Sequence, residues 1–267
     1  MEILIFIAVI VALIVVHEFG HLIAAKITGM RVDEFGLGYP PRALVIGKIG
    51  ETEYTLNWLP FGGFVKIFGE DPNTKIRDEV GAGRVFSQKS RPIQALVLIA
   101  GIAMNLLFAW IIFSGLLMAP HWVGSNEMSN GLPLVPALVK GAQVTASVTV
   151  AVAEGLGHFF YGIFTFSADL SQVAGPIGIA GVVGSASLQG WSSLLSLTAI
   201  ISINLALINL IPIPALDGGR LLFVIIESII RRPIKARFAQ ALNGIGFAFL
   251  ILLMLVVSVH DIFRILG

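Results

Sequence analysis

The chain has 267 residues, of which 56% are hydrophobic and 12% charged, with a mean hydropathy of +0.91. Soluble domains carry about 25% charged residues, so this composition excludes a soluble protein and predicts one that crosses a bilayer several times. The net charge of +1 gives no support for nucleic acid as a partner. Because the chain has no cysteine, disulfides, thiol nucleophiles and cysteine metal ligands are excluded.

The first apolar segment, about 2–27, is predicted to be a retained membrane helix, since no basic stretch or small-residue cleavage site marks a signal peptide. It contains H-E-F-G-H at 17–21. Ionisable side chains at membrane depth are costly and indicate a functional site. On a helix His17 and His21 share one face, which lets two imidazoles bind one zinc ion beside Glu18 as general base. The alternative is a pair of core histidines bonded to neighbouring helices.

Residues 35–70 contain short β-type runs separated by glycine and proline turns, which predicts a hairpin or small sheet. The predicted strands are Ala43–Ile46, Glu53–Trp58 and Phe64–Phe68. This region is too apolar for a plain loop and too broken to span. Non-helical backbone at membrane depth must line a cavity or pack on protein, so we expect a membrane-re-entrant sheet beside the motif helix. Its edge could bind an extended substrate, although it could also merely cover the helices.

A second spanning helix is predicted at about 93–118, after a cytoplasmic loop at 71–92. Within this helix Gly101 favours close packing and Asn105 an intramembrane hydrogen bond. The connection that follows is predicted to have three parts. These are a short outer linker at 119–143, an amphipathic outer-surface helix at about 144–167 and an outer loop at 168–193. A spanning helix at 144–167 is the alternative.

The third spanning helix is predicted at about 194–213, where two prolines interrupt the apolar run just before Asp217. A catalytic zinc site usually has three protein ligands. His17 lies about 22 Å along the first helix, and Asp217 follows the third. When both helices enter the membrane from outside, His17 and Asp217 reach a similar depth. Asp217 is therefore the expected third ligand. It lies in an L-D-G segment, 214–220, which precedes a cytoplasmic segment at 221–241 and a fourth spanning helix at about 242–260.

Lysine and arginine are distributed unevenly among the connections. Residues 26–91 carry ten, 119–193 carry one and 220–237 carry five. By the positive-inside rule the first and third connections are cytoplasmic, so both termini are predicted to lie outside.

Several sequence motifs occur together in one order. They are H-E-F-G-H at 17–21, F-G-L-G at 35–38, E-Y-T-L-N-W-L-P-F-G-G-F-V-K at 53–66, G-E-D at 69–71, the Gly101–Asn105 pair, G-P-I-G-I-A at 175–180, and N-L-I-P-I-P-A-L-D-G-G at 209–219. In this combination the chain resembles the site-2 protease family of intramembrane zinc metalloproteases, and most of all its bacterial regulator-of-sigma-E protease branch.

The resemblance implies a polytopic α-helical membrane protein with four transmembrane helices, the re-entrant sheet and the outer-surface helix. It implies that Zn²⁺ is bound by His17, His21 and Asp217 and that Glu18 activates water. The implied substrate contacts are Asn204 and Asn209, with Asn105, Phe61, Gly62 and Gly63 as further candidates. Members of this branch usually carry PDZ domains between the second and third helices, and 119–143 is too short for one.

The implied activity is hydrolysis of a peptide bond within or near the transmembrane helix of a single-span membrane protein. Such a substrate could be an anti-sigma factor or a signal-peptide remnant, cleaved in the bacterial inner membrane. The expected partners are that substrate and the lipid bilayer, with an unidentified upstream protease or adaptor. A transporter or metal permease and a catalytically silent relative are the alternatives. The intact H-E-x-x-H argues against both, because neither needs Glu18.

Overall fold

The structure, a computed structural model, describes residues 2–70, 81–123, 127–165, 167 and 174–266. Its helices and strands follow in chain order. They are α1 Glu2–Ile27, β1 Val32–Ile49, β2 Thr52–Ile67, α2 Arg91–Met118, β3 His121–Val123, β4 Glu127–Ser129, α3 Leu134–Phe164, α4 Pro176–Leu188, α5 Trp191–Leu210, α6 Asp217–Ile230 and α7 Ala236–Leu266. Residues 71–80 of the predicted loop at 71–92 and residues 168–173 of the loop at 168–193 lie outside the described residues.

Among the described residues, five helices are long and apolar enough to cross a bilayer, judged by length and composition: α1, α2, α3, α5 and α7. Four were expected, and the difference lies in α3. This helix begins at Leu134 rather than near residue 144, and its 31 residues include the apolar run at 134–139. The predicted linker at 119–143 is correspondingly shorter and contains the small β3–β4 hairpin.

Strands β1 and β2 form an antiparallel hairpin in which the register shifts repeatedly, so each strand contributes two paired segments. Arg42–Ile49 pairs with Thr52–Asn57 next to the turn, and Val32–Leu37 pairs with Gly63–Ile67 at the open end. The segment that starts at Val32 also lies beside Glu53–Leu56, and these two segments run parallel to each other. It is therefore the inner segment, and Gly63–Lys66, which we call the edge segment, lies at the border of the sheet.

A small sheet after the first helix was predicted, and the structure confirms it. The run F-G-L-G at 35–38 was not predicted as strand, yet it lies in β1. Its two glycines have low β propensity and hide the signal. At the turn of the hairpin, two hydrogen bonds from Arg84 hold Glu51 and lower the pKa of its carboxyl.

The chain folds as two compact units. The first, which we call the motif unit, comprises residues 10–104 and 209–248, and the second comprises residues 1–9, 105–208 and 249–267. The core of the motif unit packs side chains from α1, the sheet, α2 and α6, including Leu22, Phe35, Val97 and Val224. This core places the end of α1, the sheet and the start of α6 in contact.

In the second unit α3 runs back along α2. The indole N–H of Trp110 donates to the carbonyl of Leu138 at 2.9 Å. Val144, Val148 and Val152, spaced by four residues, pack in one cluster with side chains of α2 and α5. The valine stripe of α3 is therefore partly buried against two helices of spanning length.

Helix α4 contacts residues near both ends of the chain. The buried carboxylate of Asp261, in α7, accepts a hydrogen bond from the Gly178 amide at 2.8 Å. A Cβ placed on Gly184 would lie 2.9 Å from an oxygen of Glu2, in the first turn of α1. The two chain ends therefore meet at one helix of 13 residues.

Candidate active site

The site begins with two histidines on α1. An uninterrupted apolar helix, free of proline, puts His17 and His21 one turn apart on the same face. Both are buried, with 6% and 7% of their surface exposed, and their Nε2 atoms lie 3.3 Å apart.

A neighbouring backbone carbonyl sets the orientation of His21. Its Nδ1–H donates to the carbonyl of Val97, in α2, at 2.8 Å. With the proton on Nδ1, the lone pair of the neutral ring is on Nε2, which points toward His17. Metal-binding histidines usually bond their second nitrogen in this way.

The third group is Asp217, the first residue of α6. Its Oδ2 lies 2.9 Å from Nε2 of His17 and 3.2 Å from Nε2 of His21. The ligand atoms of a tetrahedral zinc ion lie about 3.4 Å apart when each bond is about 2.0–2.2 Å long. Two imidazole nitrogens and one carboxylate oxygen at these separations fit a catalytic zinc ion, which leaves one position for water.

Glu18 lies between the two histidines in the sequence and near them in space. Its carboxylate is within electrostatic range of His17, His21 and Asp217. The edge segment lies directly against its side chain, since a Cβ on Gly63 would be 3.2 Å from Cγ of Glu18. A group that can hold a proton is therefore placed between the candidate ligands and a strand of the sheet.

Gly101, in α2, forms one wall of the site. A Cβ at this position would lie 2.4 Å from Nε2 of His21 and 2.9 Å from Cε1 of His17. From the sequence this residue was interpreted as a point of helix packing. The structure shows that α2 packs here on both candidate metal ligands, so the missing side chain leaves room for them.

Two ion pairs hold α6, and sequence reasoning missed both. Arg220, one turn after Asp217, lies 2.5 Å from Glu70, which follows β2. Glu227 lies 2.7 Å from Arg91 at the start of α2. The first pair joins the G-E-D stretch at 69–71 to the arginine that directly follows L-D-G-G. Neither stretch indicates its partner without the fold.

The predicted substrate contacts are spread over the two units. Asn105 and Asn204 lie in the second unit, where the Asn105 carbonyl accepts a hydrogen bond from Ser202 and the Asn204 amide bonds within α5. Asn209 lies in the motif unit and is half-buried. In the P-F-G-G bend, Gly62 and Gly63 precede the rest of the edge segment, and the side chain of Phe61 lies outside what the structure describes.

Residues 5–253 match the family model described as peptidase family M50. The chain belongs to peptidase family M50. This confirms the resemblance to site-2 proteases, and the chain is a zinc-dependent metalloprotease with the apolar helices of a membrane protein.

Bacterial relatives support the M50 assignment. A Clostridium perfringens protein named as a zinc metalloprotease is 31% identical over 327 residues, which cover 94% of this chain and 95% of that protein. A Synechocystis protein with the same description is 27% identical over 347 residues, covering 96% and 93%. Zinc metalloprotease RasP of Shouchella clausii is 25% identical over 408 residues, covering 96% and 97%. Because these alignments exceed 267 positions, the relatives contain residues that this M50 chain lacks.

Proposed function

We propose that this chain is an intramembrane endopeptidase that hydrolyses a peptide bond within or near the transmembrane helix of a single-span membrane protein. One observation carries the proposal: Nε2 of His17, Nε2 of His21 and Oδ2 of Asp217 lie close together, with Glu18 beside them. The two histidines and Glu18 lie on α1, a helix of spanning length. Substrates such as an anti-sigma factor or a signal-peptide remnant fit this reaction, with an upstream protease or adaptor delivering them.

His17, His21 and Asp217 would hold the zinc ion, and Glu18 would move the proton. When bound, zinc polarises the scissile carbonyl and makes water a nucleophile near neutral pH. Glu18 accepts a proton from the attacking water as its oxygen bonds to the carbonyl carbon. It then gives this proton to the amine nitrogen as the C–N bond breaks. Glu18 therefore returns to its starting carboxylate form after each turnover.

The edge segment is the proposed docking strand for substrate. A transmembrane helix hides its peptide bonds in its own hydrogen bonds, so it must unwind before attack. Among the described residues, no backbone hydrogen bond joins Gly63–Lys66 to an element other than β1. An extended substrate strand can pair there by β-augmentation and replace its lost hydrogen bonds. Asn209, which lies eight residues before Asp217 in the sequence, is a further proposed contact for the unwound substrate, as are Asn204 and Asn105.

Exposed apolar side chains support membrane re-entry of the sheet. Trp58 is 71% exposed at the bend opposite the turn, and Leu44 and Ile46 are also exposed. The charged pair of Glu51 and Arg84 lies at the turn instead. We therefore propose that the bend near Trp58, rather than the turn, enters the bilayer, because apolar surface is favoured there and charge is not.

The experiment that tests the proposed function is cleavage of a single-span membrane protein by the full chain in liposomes. We expect cleavage to stop when a chelator removes zinc and to return when zinc is added. In the same assay Gly63→Ala is expected to lower the cleavage rate about 100-fold, because its methyl group would push the edge segment away from Glu18 and Ile14.

Gly47→Ala is the matched control, since a Cβ at Gly47 meets nothing within 4 Å in the same hairpin. It should cleave at the parent rate. Chelator-resistant cleavage, or ion flux without cleavage, would contradict the proposed function. Equal rates for Gly63→Ala and the parent would contradict the role of the edge segment alone.

We propose that the protein lies in the bacterial inner membrane with both termini outside. The contacts of α4 with Glu2 and Asp261 support a common side for the two ends, which requires four crossings, so one of the five helices of spanning length does not cross the bilayer. Since the chain has no cysteine, one introduced cysteine is the only site for a maleimide. In intact cells a membrane-impermeant maleimide is expected to label Arg264→Cys but not Lys235→Cys. Protection of Arg264→Cys, or labelling of both, would overturn this orientation.

A further inference from the structure

A tight turn separates α5 from Asp217. In it, the Leu216 N–H donates to the carbonyl of Ile213 at 3.1 Å, and Pro214 and Ala215 lie at the centre. Ala215 has a φ of +81°. Proline at the second position, positive φ at the third and this hydrogen bond define a type II turn, in which the third position is usually glycine. Here an alanine occupies the left-handed conformation, which is unfavourable for any residue with a Cβ.

Helix α7 contacts both polar atoms of the central peptide of this turn. The Ala215 N–H donates to Oδ1 of Asn243 at 3.2 Å. The Pro214 carbonyl oxygen lies so close to Gly246 that a Cβ there would be 2.1 Å from it. Asn243 and Gly246 are three residues apart and therefore share one face of α7.

These contacts select one orientation of the peptide. If it flipped to the type I form, its carbonyl oxygen would turn toward the side that the Ala215 N–H now occupies. Oδ1 of Asn243 would then face another acceptor, and the hydrogen bond from the Ala215 N–H would be lost. The orientation matters because Asp217 comes only two residues later and its carboxylate must meet the histidines of α1.

We propose that Asn243, assisted by Gly246, is a positioning residue for the metal centre. It holds Ala215 in the left-handed turn, and this turn sets where α6 begins and where Oδ2 of Asp217 lies. The inference rests on the proposed function, in which Asp217 is a zinc ligand. Helix α7 then helps to build the metal centre, although it carries none of the three proposed ligands. The ion pair of Arg220 with Glu70 is a further contact that holds α6.

The test is zinc affinity of the full chain in detergent, measured by competition with a chromophoric chelator. Asn243→Ala is expected to weaken zinc binding about 10- to 100-fold, the usual effect of losing a group that orients a ligand. Adding Ala215→Gly should restore affinity to within about threefold, because glycine adopts the left-handed turn without help. Asn243→Asp, which keeps an acceptor oxygen, should bind zinc nearly as the parent does.

A matched pair on α7 provides a second readout. Gly246→Ala is expected to weaken zinc binding, whereas Gly244→Ala, whose Cβ meets nothing within 4 Å, should not. Parent-like affinity of Asn243→Ala, or failure of Ala215→Gly to rescue it, overturns the inference. Asp217→Asn, measured alongside, separates the two proposals. If it weakens zinc binding while Asn243→Ala does not, only this inference fails; if neither weakens it, the proposed ligand set fails as well.

Discussion

Glu18→Gln is expected to slow substrate cleavage by about 100- to 10,000-fold while the chain retains its zinc. Removal of a general acid–base group usually costs about 100- to 10,000-fold, and glutamine cannot accept the proton of the attacking water. Glutamine has the shape of glutamate, so the space between Gly63 and the histidines stays filled. The measurements are single-turnover cleavage of a transmembrane substrate in liposomes and zinc content of the same preparation.

Glu154→Gln is the matched control for this variant. It makes the same substitution at an exposed position of α3, a second helix of spanning length, and should leave cleavage unchanged. Two results would count against the role of Glu18. One is parent-like cleavage by Glu18→Gln, and the other is loss of cleavage that zinc loss fully explains.

Gly101→Ala is expected to abolish the metal centre, with zinc affinity reduced about 100-fold or more and cleavage lost with it. The added methyl group would lie 2.4 Å from Nε2 of His21, the atom that faces the other ligands. That distance is far shorter than a van der Waals contact. Helices α1 and α2 are also in close contact beside this point, since a Cβ on Gly20 would lie 2.3 Å from the carbonyl oxygen of Ala100. The helices cannot separate here without moving both histidines.

Gly115→Ala distinguishes this steric effect from a general effect on α2. It is the same substitution on the same helix, and its Cβ would meet nothing within 4 Å. Replacing glycine by alanine in a helix normally stabilises it by about 1 kcal/mol, so Gly115→Ala should fold at least as well as the parent. Parent-like zinc affinity of Gly101→Ala would contradict the role of Gly101 in leaving room for the two histidines. Zinc binding and thermal unfolding of both variants provide the comparison.

The α3 region shows why a composition-based boundary failed. The lysine and arginine distribution, together with the glycines, Glu154 and His158, argued against a span at 144–167. The structure begins the helix at Leu134 and packs the partly buried Val144, Val148 and Val152 against α2 and α5. Where the helix begins and which helices its valine stripe contacts depend on tertiary packing, which the composition of one segment does not show.

Local periodicity was enough for much of the rest. The spacing of His17, Glu18 and His21 determines that both imidazoles share a helix face, because 3.6 residues make one turn. Apolar length predicted α1, α2, α5 and α7, and the prolines after Leu210 predicted the break before Asp217. Each of these features depends on residues within one helix or directly after it, which a single sequence displays directly.

The tertiary structure decided everything that joins distant parts of the chain. It brought Asp217 within 2.9 Å of His17, a pairing that the sequence supported only through depth and resemblance. It also placed Gly101 on the histidines, the edge segment on Glu18, and Asn243 on the turn before Asp217. The sequence by itself therefore determined which groups can bind zinc and move a proton. Their assembly depends on contacts between helices 28 to 200 residues apart, which no local spacing encodes.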